Sequence, residues 1–274
     1  PRDSMEPMGV EAQPRPAATV PASTAPSGVE MSAAAAPGMS EPATQAACEL
    51  LLARLPGVTR SQCLATQLQP GDAILIVGSD RISDPGGEHW DVRVLSAVLP
   101  DNANARTRVL WNHPLGSAFP TMSPAGVGVE VHAFRQRTAL FGHNAPDPNL
   151  LSGRGSNLAQ KIDKSSTSNW TWNQFHINGA TVDLESANPK ITAGTWFALV
   201  SNEAGLGSAD LPGYTELYRA QRVSQLSRND FGISGKTTRI TPDTIENLSA
   251  ARFGLRNTLV LAQSERLATV DTPL

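Results

Sequence analysis

The chain has 274 residues, a length that suits about two domains. Its net charge of -3 and pI of about 6.0 supply no basic face for nucleic acid, and no apolar run approaches the roughly 20 residues that cross a bilayer, so neither partner is expected. With 22 glycines, 21 prolines and only 17% charged residues, and with Val, Ile, Thr and Leu in short runs, the composition points to a turn-rich, mainly β protein.

Residues 1–40 are Pro, Ala, Ser, Met and Gly without apolar period, and read as an extended or disordered arm unless a partner pins them. Pro1 is followed by no signal-peptide pattern, and the start reads as a cut through a longer polypeptide. Residues 41–67 read as a short helix and connector: Ser40 caps, Pro42 suits a first turn, Leu50, Leu51, Leu52 and Leu55 crowd one side, and Pro56-Gly57 ends it. The two cysteines, Cys48 and Cys63, lack a CxxC spacing and read as thiols of a reducing compartment; their spacing leaves pairing open.

The first β domain is expected over 68–144. LQPGDAILIVG predicts a turn and a continuous apolar strand from Ala73 to Val77. The alternation in HWDVRVLSAVLP and the run RTRVLWN predict a hairpin over 90–112. VEVHAFRQRTALFGHNAPDPNLL, Val129 to Leu151, begins as the closing strand and ends in turn residues. Residues 145–168 read as a linker in which Pro146 and Pro148 restrict the backbone and set the relative orientation of two domains.

A second β domain, 169–274, repeats the script. WTWNQFHI, Asn178-Gly179 and ATVDLES predict a hairpin, because both central positions of a type I′ turn need positive φ. ITAGTWFALV then matches QPGDAILIV, YTELYRAQRVSQLS matches HWDVRVLSAV, KTTRITPD matches RTRVLWN, and RNTLVLAQSERLATV matches VEVHAFRQRTALFG. Gly71 with Gly194, Arg93 with Arg222, Arg108 with Arg239 and Ala133 with Ala262 serve as anchors. The expected fold class is therefore two tandem small antiparallel β-barrels or β-sandwiches. The loops Ser79–Glu88 and Asn202–Pro212 differ between the copies and are where contacts to neighbours would gather.

No catalytic constellation emerges. GISGKTT, Gly232 to Thr238, ends like a phosphate-binding loop, but the pattern needs a glycine where Asp230 stands and must open a helix, whereas TTRIT continues as a strand. His89, His113, His132, His143 and His176 have no metal-ligand spacing. Glu88, His89 and Asp91 lack the alternate carboxylates of a calcium loop. The serines of LSGRGSN sit on no strand-to-helix elbow. Asp183 and Glu185 share a strand face, as a glycosidase pair could, but two solvated carboxylates are the expectation. No residue is assigned a catalytic, cofactor-binding or metal-ligating role. Trp170 and Trp172 share a face and open an alternative, a carbohydrate-binding β module; core packing is the competing reading.

The order of the blocks from Leu68 to Leu267 resembles the baseplate assembly protein family of phage-tail-like contractile injection systems, with FRQRTALFGHNAP the most specific block. Residues 1 to about 65 depart from that pattern. The resemblance implies a region from the middle of a longer chain that acts as a structural subunit of the baseplate wedge, without enzyme activity or cofactor. It further implies multiple copies in a symmetric assembly, with other baseplate subunits, the spike or hub, and sheath or tube proteins as partners. The implied location is the bacterial cytoplasm during assembly, then the particle, including after its release from the cell.

Overall fold

The computed structural model describes residues 27–32, 67–101, 106–118, 121–151, 158, 160–166, 169–201, 213–248 and 252–269. The helix expected within 41–67, both cysteines and the loop Asn202–Pro212 lie outside the described residues. The mainly β expectation holds: antiparallel sheets dominate, and the helical elements bounded among the described residues are the short α1 (Asp80–Ser83) and a 3-10 turn at Pro148–Leu151.

Residues 27–32, read from sequence as part of an unpaired arm, form β1 (Ser27–Ser32). Next come β2 (Ala73–Val77), β3 (Trp90–Val94), β4 (Ala97–Asp101), β5 (Arg106–Trp111), the two-residue β6 (Ser117–Ala118) and β7 (Thr121–Met122), and β8 (Glu130–Ala139). The second half supplies the short strands β9 (Ile162–Asp163), β10 (Thr171–Trp172) and β11 (Val182–Asp183), then β12 (Trp196–Ser201), β13 (Thr215–Asp230), β14 (Ile233–Pro242) and β15 (Thr258–Leu267). One eight-stranded sheet runs β11-β14-β13-β12-β15-β8-β2-β3, and a three-stranded sheet runs β1-β5-β4. The two halves thus meet edge to edge. β15 pairs with β8 from Leu259↔Ala139 to Leu267↔Val131, and outward from this pair each half places its first apolar strand and then the strand that follows it.

β2 and β12 are buried along their whole length, which explains why their sequences are continuous apolar runs rather than alternations. Ile74 and Ile76 face a first-half core with Val109, Trp111 and Val131. Phe197 and Leu199 face a second-half core with Val182, Leu184 and Phe253. The opposite faces meet each other: Ala73, Leu75 and Val77 share one cluster with Trp196, Ala198 and Val200, joined by Trp90, Phe134, Leu217 and Leu261. Strands from both halves therefore enclose a common interior.

The predicted hairpin over 90–112 is half right. β4 and β5 pair, but β3 pairs with β2 in the large sheet, because the chain changes sheets at Leu95-Ser96. At the matching place in the second half β13 continues, with a register shift between Ala220 and Arg222. Gly71 N–H donates to Leu95 O and Gly194 N–H to Ala220 O, both at 2.7 Å. Gly71 and Gly194 thus hold the same place in the pairing. Arg93 and Arg222 do not, since setting Leu95 against Ala220 sets Arg93 against Tyr218.

The hairpin expected across Asn178-Gly179 does not form. β10 pairs with β9, and β11 pairs with β14. The intervening backbone is taken by the turn before β15: Ile177 N–H donates to Phe253 O and Leu255 N–H to Phe175 O. The described residues of 145–168 belong to the second half rather than lying between halves, for Ala145 and Ile162 are buried in its core. Relative orientation is fixed by the β8–β15 pairing and the common interior, not by Pro146 and Pro148 alone.

Two buried arginines brace the body. Arg81 of α1, 2% exposed, reaches into the second half, where it donates to Leu217 O at 2.7 Å and Asp243 Oδ2 at 3.0 Å. Arg93 pairs with Asp91 at 2.8 Å with both side chains sequestered, and it donates to Pro114 O while Asp91 accepts from Gly116 N–H. Burial pushes the Asp91 carboxyl up, against the opposing pull of Arg93.

Candidate functional site

The larger cleft lies in the second half and encloses about 640 Å³, a size typical of ligand pockets. One wall is the ribbon of β13 and β14. Its connecting turn places Phe231 at φ +51° and Gly232 at φ +74°, the left-handed pair of a tight hairpin. A bulky aromatic in that conformation is strained. Burial holds it there: Phe231 packs edge-on against Trp172 at 5.8 Å and Phe175 at 5.2 Å, with the Arg228 guanidinium 5.8 Å from its ring.

Side chains on this wall form a chain of alternating charge. Lys161 Nζ meets Asp230 Oδ1 at 2.5 Å, Arg228 Nη2 meets Asp230 Oδ2 at 3.2 Å, and Arg228 Nη1 meets Asp183 Oδ2 at 2.7 Å. Arg239 closes it with two 2.7 Å bonds from Nε and Nη2 to the two oxygens of Asp183. The period-2 geometry of β13 puts Arg228 and Asp230 on one face, and pairing with β14 and β11 brings Arg239 and Asp183 beside them. Asp183 is 4% exposed at its side chain, whereas the terminal cations, Lys161 at 48% and Arg239 at 37%, are open to solvent. Burial pushes the Asp230 carboxyl up, but hydrogen bonds from Lys161, the Phe231 N–H and Arg228 outweigh it and hold the group below the usual carboxylate range. The hydrogen bond to Asp183 raises Arg239 further.

The lining also carries a group of amides beside Lys161. Asn178 Nδ2 donates to Gln174 Oε1 at 2.7 Å, and Asn173 Nδ2 to Gln160 O at 3.2 Å. Leu140, Ile177 and Leu255 form an apolar floor. Both carboxylates are held in ion pairs with arginine or lysine, which leaves the cleft with a fixed pattern of charge.

A smaller cleft of about 210 Å³ lies where the Pro85–Glu88 loop of the first half meets β13. Burial pushes the Glu216 carboxyl up to about 7, against the hydrogen bond from Tyr214 Oη and the pull of Arg252 and Arg81, with Glu88 adding to the rise. The Arg252 guanidinium lies 4.1 Å from the centre of the Tyr214 ring.

The residues weighed from sequence are dispersed. Trp172 is buried and donates its indole N–H to Pro146 O at 2.9 Å, while Trp170 is half-buried beneath Lys164, so the two rings do not form an open platform. Asp183 serves two arginines, whereas Glu185 accepts from Thr138 Oγ1 at 3.0 Å and faces His143 at 3.4 Å. His89 pairs with Asp80, His132 with Glu130, and His176 lines the larger cleft; His113 lies in an exposed turn. Lys236 and Thr237 lie inside β14, not at a helix start. Among the described residues no group of three or more His, Cys, Asp or Glu could hold a metal ion, and no helix is long and apolar enough to cross a membrane. Sequence reasoning missed Lys161, Arg228, Asp230 and Arg239 as a unit, since their partners come from separate strands. The one local signal is Arg-Asn-Asp at the end of β13.

No protein-family model matches the chain, and no curated protein or solved structure is similar to it.

Proposed function

We propose that this chain is a structural subunit of the baseplate wedge in a contractile, phage-tail-like injection particle, acting through protein–protein contacts. The observation that carries the reading is the place of its most specific sequence block: FRQRTALFGHNAP forms the C-terminal part of β8, which pairs with β15, and the tail that docks on the second-half core. The residues behind the resemblance are thus those that join the two β halves through strand pairing, which supports a structural role. The buried Asp91–Arg93 pair and the neutralised carboxylates of the larger cleft serve cohesion and binding better than acid–base chemistry.

On this reading the chain has no enzyme activity. It occurs in multiple copies, contacts other baseplate subunits and the spike, sheath or tube proteins, assembles in the bacterial cytoplasm and leaves with the particle. Cryo-microscopy of the intact particle tests it: density that fits the eight-stranded sheet within the baseplate is the expected result. A fully traced baseplate without this chain overturns the reading.

A further inference from the structure

The larger cleft has a recognition chemistry of its own. Its charged lining carries three cations, Lys161, Arg228 and Arg239, against two anions, Asp183 and Asp230, leaving a surplus of positive charge. That surplus is displayed at the ends of the chain: Arg228 is spent between Asp183 and Asp230, while Lys161 and Arg239 each face solvent on one side and touch one carboxylate on the other. In the same lining the exposed Asn173, whose backbone N–H donates to Lys161 O, and the exposed Asn178 use their amide N–H groups internally, and their side-chain oxygens have no hydrogen-bond partner among the described residues. Gln174 likewise keeps its amide N–H groups unpartnered there, and stands at φ +54°, a strained backbone held at the rim of the cleft. Paired donors and acceptors of amide type match a peptide main chain, the floor of Leu140, Ile177 and Leu255 accepts an aliphatic side chain, and the terminal cations match a carboxylate.

We propose that this cleft receives an acidic segment of a partner protein: its Asp or Glu side chains engage Lys161 and Arg239 separately, the flanking main chain bonds to Asn173, Gln174 and Asn178, and an adjacent aliphatic residue covers the floor. The inference rests on the interaction reading above but not on the baseplate itself. A particle that lacks this chain would overturn the baseplate assignment and leave the cleft's selectivity to be decided by the following measurement.

The test uses the full 274-residue chain and three probes followed by amide chemical shifts: acetyl-Ala-Glu-Leu-Glu-Ala-amide, the same peptide with Gln for both Glu, and glucuronate. The Glu peptide is expected to give saturable shifts at the cleft residues and to bind at least about fivefold more tightly than the Gln peptide, as a charge-assisted bond adds to neutral ones. Lys161→Gln, a change at a half-exposed side chain that leaves the Asp183 pairs in place, is expected to shrink that ratio toward one; Arg239→Gln should do the same. Equal binding of the two peptides, saturation by glucuronate alone, or no saturable shift at the cleft up to about 10 mM each overturns the proposal, a range that covers weak single-segment contacts.

Discussion

Gly142 sits at φ +103° directly against Phe231, so that a Cβ at this position would lie 2.9 Å from Phe231 Cδ2 and 3.0 Å from Leu255 Cδ1. The tail after β8 and the β13–β14 turn are therefore fitted to each other across the floor of the larger cleft. Gly142→Ala is expected to incur both a backbone and a packing penalty, about 2–4 kcal/mol in all. Gly179→Ala provides the control, since Gly179 has φ +89° but open space around it, and it should cost only about 1–2 kcal/mol. Urea midpoints of the two variants check the difference, and equal losses would remove the packing argument.

The Asp91–Arg93 pair makes a second prediction. Arg93→Met leaves the Asp91 carboxylate buried without its cation and should destabilise by about 3–5 kcal/mol. Adding Asp91→Leu is expected to recover only part of this, because the carbonyls of Pro114 and Gly116 still lose their donor. Full recovery in the double variant would show that the pair does not anchor the 112–118 turn.

Glu216 sets a pH dependence. Burial raises its carboxyl from an ordinary 4.5 to about 7, so the folded state favours the neutral form. Its contribution is fully present below about pH 4.5, falls as pH climbs toward 7, and is gone above that. Asp91 is raised by burial and acts in the same direction, whereas burial lowers His132, whose contribution instead weakens under acid. The isolating variant is Glu216→Gln, which keeps a group for Tyr214 Oη while removing the titration. Between pH 5 and 7.5 the melting temperature of the parent should decline relative to this variant; parallel curves would contradict the assignment.

Replacing Pro146 and Pro148 together by glycine is expected to cost about 1–2 kcal/mol through unfolded-chain entropy. The halves should keep their orientation, because the β8–β15 pairing and the common interior remain. Residual dipolar couplings check this, and a change in the relative alignment of β3 and β14 would return the orienting role to the prolines.

What could be read from sequence follows from how local its cause is. β2 and β12 were legible because burial on both faces writes itself as an unbroken apolar run, and the end of β13 was legible as a turn because Gly232 needs its φ. The Asn178-Gly179 hairpin was misread: Gly179 does adopt φ +89°, but Phe175 and Ile177 have already given their backbone groups to Phe253 and Leu255. The joining of the halves was invisible for a similar reason, as β8 and β15 each carry a satisfactory pattern for a closing strand and nothing local says that they close on each other. The charge chain of the cleft depends on three strands meeting, and no single segment holds more than two of its five members.

β13 runs for 16 residues, Thr215–Asp230, and carries Leu217 in the common interior and Arg228 and Asp230 on the cleft wall. At about 3.3 Å per residue it is a strut roughly 50 Å long. Its consequence is mechanical. Tension applied along β13 from its cleft end would travel along a single backbone, meet the register shift at Ala220 and Arg222, and be discharged as shear across the rungs shared with β12 and β14. Pulling in that direction loads many hydrogen bonds at once instead of opening them one after another, so this end of the molecule can act as a handle.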